Sequence, residues 1–286
     1  MFHKLIKGIA PLAGIALAAA VAGCGDMDVK INGEEGVPLA ELDMSGDAPD
    51  SVLLAGPDKV VITDGAKLAI DVAGDSGAAA LVRFTLKDGT LGILREKGEG
   101  KVGTAIVNVT MPAPKSLTIA GSGTIETEKM TGKADINVLG SGTIKIAELK
   151  ADTADVNIAG SGDLAAAGTA GKMDLNVMGA GSADMAGLVV DNAEVTIAGS
   201  GDAAFSSDGK VDASIMGSGS VRVIGRATCT VNSMGSGKLV CENPQSSTPD
   251  AAAEAEPEKQ AAKKSATKKR VAKKAAPKGK GGKRQA

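Results

Sequence analysis

Between residues 115 and 242 apolar and polar side chains alternate, and the alternation restarts on a fixed beat. The beat is the triplet Gly-Ser-Gly, once Gly-Ala-Gly, which begins at Gly121, Gly140, Gly160, Gly179, Gly199, Gly217 and Gly235, at spacings of 19, 20, 19, 20, 18 and 18 residues. Four places before the first glycine stand Leu117, Ile136, Val156, Leu175, Val195, Ala213 and Val231. Two places before stand Ile119, Val138, Ile158, Val177, Ile197, Ile215 and, as the exception, Ser233. Thr118, Asn137, Asn157, Asn176, Thr196, Ser214 and Asn232 lie between them, and the apolar set resumes after the triplet at Ile125, Ile144 and Leu164. Period-two alternation predicts strands with one face inward. Each repeat is therefore strand, glycine bend, strand, and about 19 residues suit one coil of a parallel β-solenoid. Glycine is expected at the bends because they need positive φ and bring neighbouring backbones close.

Upstream, strands are predicted at 51–55, 59–63, 68–72, 81–86, 90–95 and 105–110, with Asp64-Gly65 and Asp88-Gly89 as hairpin-type turns. No separate core is evident there, so this stretch is expected to form the first, irregular coils. The organisation expected is a signal peptide at 1–23, a tether at 24–38, the solenoid at 39–245 and a basic tail at 246–286.

The first segment reads as an export signal. Lys4 and Lys7 precede an apolar run from Gly8 to Ala20, too short to span a bilayer comfortably. It ends in Val21-Ala22-Gly23-Cys24, which resembles the bacterial lipobox, with Cys24 as the lipid-bearing residue. The alternative is ordinary cleavage near Ala18-Ala19-Ala20, which leaves Cys24 a free thiol. Asp26, not the residue next to Cys24, is acidic, which favours the outer over the inner membrane for an anchored envelope protein.

Composition removes several functions. Among 286 residues there is one histidine, His3, and there are three Phe, no Tyr and no Trp. After signal removal no Ser-His-Asp or Cys-His catalysis and no His-ligated metal remain available. No aromatic platform exists for stacking bases or sugars. The glycine triplets lack the Lys-Ser/Thr of a phosphate loop. No catalytic residue, metal or cofactor is expected.

Charge is segregated. Residues 259–286 hold twelve Lys and Arg and no acid, whereas 24–258 carry all 34 acids and a net charge of −16. Lys263, Lys264, Lys268, Lys269, Arg270, Lys273, Lys274, Lys278, Lys280, Lys283 and Arg284 recur in steps of about five, which defines no apolar helical face. This segment is expected to be disordered and solvated. It either contacts envelope polyanions (lipid headgroups, lipopolysaccharide, wall polymer or extracellular nucleic acid) or only solubilises the chain.

Three further features are candidate sites. Asp135, Asp155, Asp174, Glu194 and Asp212, five places before the glycine, would stack as an acidic column, either holding cations or serving as a soluble surface. The Asn/Thr/Ser column would meet a repetitive ligand such as a polysaccharide, or satisfy itself as a ladder. Cys229 and Cys241 lie six before and six after Gly235, on the inward phase of the last coil. In an exported chain they read as a disulfide, with two buried thiols as the alternative.

The stretch Val60-Val61-Ile62-Thr63, Leu81 to Leu94, Val107 to Pro112 and Leu117-Thr118-Ile119-Ala120-Gly121-Ser122-Gly123 is similar to the auto-transporter adhesin head domain, the GIN domain, over roughly 39–245. The resemblance implies a right-handed β-helix without catalytic residues, on a bacterial lipoprotein. Two functions stay open: a lipid-anchored surface-binding module, or an envelope-organising protein that works through its tail.

Overall fold

The computed structural model describes residues 17–18, 30–31, 35–98 and 103–243. A two-residue antiparallel pairing joins β1 (Leu17–Ala18) to β2 (Lys30–Ile31). The irregular part contains β3 (Ser51–Ala55), β4 (Lys59–Asp64), β5 (Ala69–Gly74), a one-turn helix α1 (Ser76–Ala80), β6 (Val82–Lys87), β7 (Thr90–Arg95), β8 (Ala105–Met111) and β9 (Ser116–Gly121). The regular part runs through β10 (Thr124–Gly140), β11 (Thr143–Gly160), β12 (Asp163–Gly179), β13 (Ser182–Gly199), β14 (Asp202–Ser206), β15 (Lys210–Gly217), β16 (Ser220–Ile224), β17 (Thr228–Gly235) and β18 (Lys238–Glu242).

The regular part is a parallel β-solenoid. Each coil lays its residues on the coil beneath, in the register that the triplets predict: Gly121, Gly140, Gly160, Gly179, Gly199, Gly217 and Gly235 stand in one column. The triplet folds each coil into two walls. Wall A holds the residues before it and wall B those after it. Inward positions of both walls are buried in one continuous aliphatic core that includes Phe84 and Phe205.

The first glycine of a triplet has φ between +118° and +136°. At Gly140 a Cβ would also stand 2.6 Å from the carbonyl oxygen of Gly121 below. Those carbonyls carry the ladder through the bend: Ser141 donates to Gly121 O and Ser161 to Gly140 O, each at 2.9 Å. Glycine is thus required twice over, by dihedral and by space.

The first coils are out of chain order. On wall A the spatial sequence is β6-β7-β3-β9, and on wall B it is β5-β8-β4-β10. Asp88-Gly89 is a two-residue hairpin turn between β6 and β7, with positive φ at both residues. Asp64-Gly65 is not a hairpin turn. β4 and β5 do not pair with each other, because β8 inserts between them, parallel to β4 and antiparallel to β5. Helix α1 is a second departure from the expected all-strand chain. Asp75 caps it, accepting from Ala78 N at 2.8 Å, and three alanines let one turn form.

Candidate functional site

The outward face of wall A is ruled into columns by the register. Seven, five, three and one places before each triplet stand four outward residues, so each coil presents a row of four. Asn157 donates to Asn137 Oδ1 at 3.1 Å and Asn176 to Asn157 Oδ1 at 3.4 Å, an amide ladder along the axis. One amide–amide bond per rung leaves further donors and acceptors on each Asn.

The acidic column is not a row of bare charges. Lys172 Nζ lies 2.9 Å from Asp174, Lys210 2.6 Å from Asp212 and Lys133 3.5 Å from Asp155. The Lys210 hydrogen bond holds the Asp212 carboxyl below its ordinary value, and the Asp174 hydrogen bond raises Lys172. Asp135 behaves in the opposite way: burial pushes its carboxyl up, against the pull of Lys133 and with a push from Asp155. Among the described residues no three His, Cys, Asp or Glu groups stand together as a metal site.

The rows alternate. Lys133, Lys172 and Lys210 lie on the same coils as the exposed Leu139, Met178 and Met216, whereas Thr153 and Asn192 share coils with Ala159 and Ala198. From Gly140 to Gly217 the structural unit of this face is therefore two coils, roughly 9.6 Å along the axis at strand spacing; the last coil departs from it, with Thr228 in the same row as Met234, 70% exposed. Met178 is 56% exposed and Met216 50%. The same column continues below through Ala120, Ala55 and Leu94. There the chain covers itself: Ile31 packs on Leu53 and Leu94 with almost no exposure. Thr118 and Asn137 on the next coils are buried as well, and the polar column is partly exposed only from Asn157 onward.

Wall B carries an open groove of about 770 Å³. It follows the register shifts at Ile146/Leu149, Ala165/Gly168 and Met185/Val189. Its floor is Ala147, Ala165, Ala166 and Ala167, and its polar groups are Glu126, Thr127, Glu128, Lys145 and Asp184. Glu126 is held by Lys59 at 2.7 Å and Lys145 at 3.2 Å, which keep its carboxyl below the usual value, the Lys59 hydrogen bond most of all. Glu128 accepts from Asp64 N at 3.3 Å. Both carboxylates are engaged, and the Thr127 hydroxyl that lines the groove between them donates to Lys129 O at 3.2 Å.

Cys229 and Cys241 are joined by a disulfide, with Cα atoms 6.8 Å apart, across the two walls of the last coil. Cys24 and Lys263, Lys264, Lys268, Lys269, Arg270, Lys273, Lys274, Lys278, Lys280, Lys283 and Arg284 lie outside the described residues. No helix among the described residues is long and apolar enough to cross a membrane. Sequence reasoning had not singled out the lysine column, the Leu/Met column or the wall B groove. The first two were visible at fixed offsets from the triplet. The groove has no such signal, since it arises where wall B changes register.

Comparison with known proteins adds the family. The family model described as "Putative auto-transporter adhesin, head GIN domain" matches residues 48–227. A structure of a "putative adhesin" from Bacteroides fragilis is similar at TM-score 0.63 and 22% identity, covering 68% of this chain and 93% of its own. A "putative lipid binding protein" from Parabacteroides distasonis is similar at TM-score 0.57 and 22% identity, covering 69% and 94%. A "putative adhesin" from Parabacteroides merdae gives TM-score 0.57 at 19% identity, covering 69% and 93%. No curated protein matches the chain. With the family model spanning well over half of the sequence, the chain belongs to the auto-transporter adhesin head GIN domain family.

Proposed function

We propose that the protein is a non-enzymatic binding module of the bacterial envelope, anchored by lipid on Cys24, that grips a repetitive polysaccharide along the outer face of wall A. The two-coil row carries this reading. It offers one Lys–carboxylate pair and one flexible aliphatic side chain at a fixed step, beside a column of Asn, Thr and Ser groups. Amides meet sugar hydroxyls, and Leu139, Met178 and Met216 meet sugar C–H faces without aromatic rings.

The test is binding of the lipid-free Cys24→Ala protein to polysaccharide purified from the envelope. Asn176→Ala with Met178→Asp should lower affinity at least tenfold while the thermal transition stays in place. Equal binding by that variant removes wall A from the reading. Saturable binding only to phospholipid vesicles of neutral composition would replace sugar by acyl chain as the ligand. Membrane fractionation of Cys24→Ala tests the anchor, with release to the soluble fraction expected.

A second reading rests on charge. Twelve basic residues without an acid after Glu258 are suited to polyanions, and such binding weakens steeply with salt. The lysine-rich segment then organises the envelope around wall polymer, lipopolysaccharide or nucleic acid. Truncation after Glu258 should abolish low-salt binding to DNA; retention of it by the truncated chain refutes this reading.

A further inference from the structure

The two ends of the solenoid are finished differently. At the N-terminal end the outermost strands turn antiparallel, β5 to β8 and β6 to β7. The outer edge of β6 is already engaged: Val37 N donates to Phe84 O at 2.9 Å and Phe84 N to Val37 O at 2.8 Å. At the C-terminal end, β17 pairs only with β15 and β18 only with β16 among the described residues. Among the described residues both walls thus end in an unpaired strand edge at the same level.

The core is also unfinished there. Val211, Ile215, Val221 and Val223, one coil in, are fully buried, whereas Val231 in the last coil is 48% exposed and Leu239 is half-buried. The edge carries few of the devices that keep strands apart. No proline or bulge interrupts β17 or β18, and Glu242 is tied to Arg222 at 2.7 Å.

We propose that the C-terminal end is an interface for the same end of a second copy of the chain. A twofold axis normal to both walls reverses strand direction within each wall. It lays β17 antiparallel to the second copy's β17 and, at the same time, β18 antiparallel to the second copy's β18. Val231 and Leu239 are then buried in a core continuous across the joint. Only another solenoid end offers two edges at the spacing of two packed sheets, about 10 Å; a single extended peptide satisfies one wall. The Cys229–Cys241 bridge ties the two walls to each other at this end, with Cα atoms 6.8 Å apart. The chain's own continuation is a poor substitute. After Asn243 it is small, polar and charged residues with several prolines and glycines, and Val271 is its one branched aliphatic residue. The contact is isologous, so it closes at two copies and does not propagate.

Sedimentation velocity on the full chain carrying Cys24→Ala tests this. A dimer is expected, with Val231→Lys halving the mass while circular dichroism stays that of the parent. Removal of 248–286 should leave the dimer intact. The proposal is overturned by a monomer at every concentration, by a dimer indifferent to Val231→Lys, or by a monomer that dimerises only when 248–286 is removed. The last result would make the chain's own C-terminal segment the cover.

Discussion

Arg95 clasps Asp58 from 37 residues away, its Nε donating to Oδ2 at 2.8 Å and its Nη2 to Oδ1. Asp58 is almost wholly buried and also accepts from Ala105 N at 2.8 Å. The clasp ties the start of β4 to the end of β7 and the start of β8, where the chain leaves sequential order. Asp58→Ala would leave the guanidinium without its carboxylate and Ala105 N–H without an acceptor. The expected loss is about 3–5 kcal/mol. Denaturant titration measures it, and Asp58→Ala with Arg95→Met should cost less than the two single changes added.

The stacked triplets predict a contrast between two glycines. Gly132 has φ +79° and open space around its absent Cβ. Gly160 has φ +126° and the backbone of Gly140 directly beneath. Gly132→Ala should cost about 1–2 kcal/mol, from the dihedral alone. Gly160→Ala should cost more than about 3 kcal/mol, because the neighbouring coil must also move. Equal losses would show that backbone stacking does not matter.

The acidic groups predict opposite pH behaviour at two sites. Asp135 has its folded pKa raised above 3.8 by burial, so its favourable contribution is full below 3.8 and is lost as pH rises through the folded value. Glu126 has its folded pKa lowered below 4.5 by Lys59, so its contribution is present above 4.5 and is lost as pH falls through the folded value. At pH 7 Asp135→Asn should therefore stabilise, and Glu126→Gln should destabilise by less than about 1 kcal/mol. Both differences should vanish in acid. Stability curves of the three proteins between pH 3 and 7 check the signs.

Reduction of the Cys229–Cys241 bridge removes a constraint on a loop of 12 residues. The expected loss is about 2–3 kcal/mol. Thiol labelling of the denatured, unreduced protein should leave both residues unmodified.

The regular coils were legible because one triplet fixes register for every residue around it. Asn137, Asn157 and Asn176 could be placed on one another from spacing alone, and their amides are hydrogen-bonded. The irregular coils were legible only as strands. Asp64-Gly65 carries correct local turn chemistry, but a turn sequence cannot report that β8, some forty residues on, will separate the strands beside it. Helix α1 was hidden because Ser76 to Ala80 offers an Asp cap and alanines but no apolar period. Asp58 and Arg95 are two isolated charges without a repeat to align them. The Leu139–Met178–Met216 column was masked because an outward apolar residue beside an inward one reads as an unbroken apolar run.

The register that stacks Gly121 to Gly235 also sets how this protein bears load. The hydrogen bonds between coils run along the long axis, and the covalent chain runs across it. A pull between the two ends of the solenoid is therefore carried by hydrogen bonds in series, one coil junction after another. A pull on the chain beyond Glu242 instead peels β18, one bond at a time. The bridge at Cys241 passes that tension directly to Cys229, so the length from 229 to 241 cannot pay out. The last coil is therefore a mechanical stop.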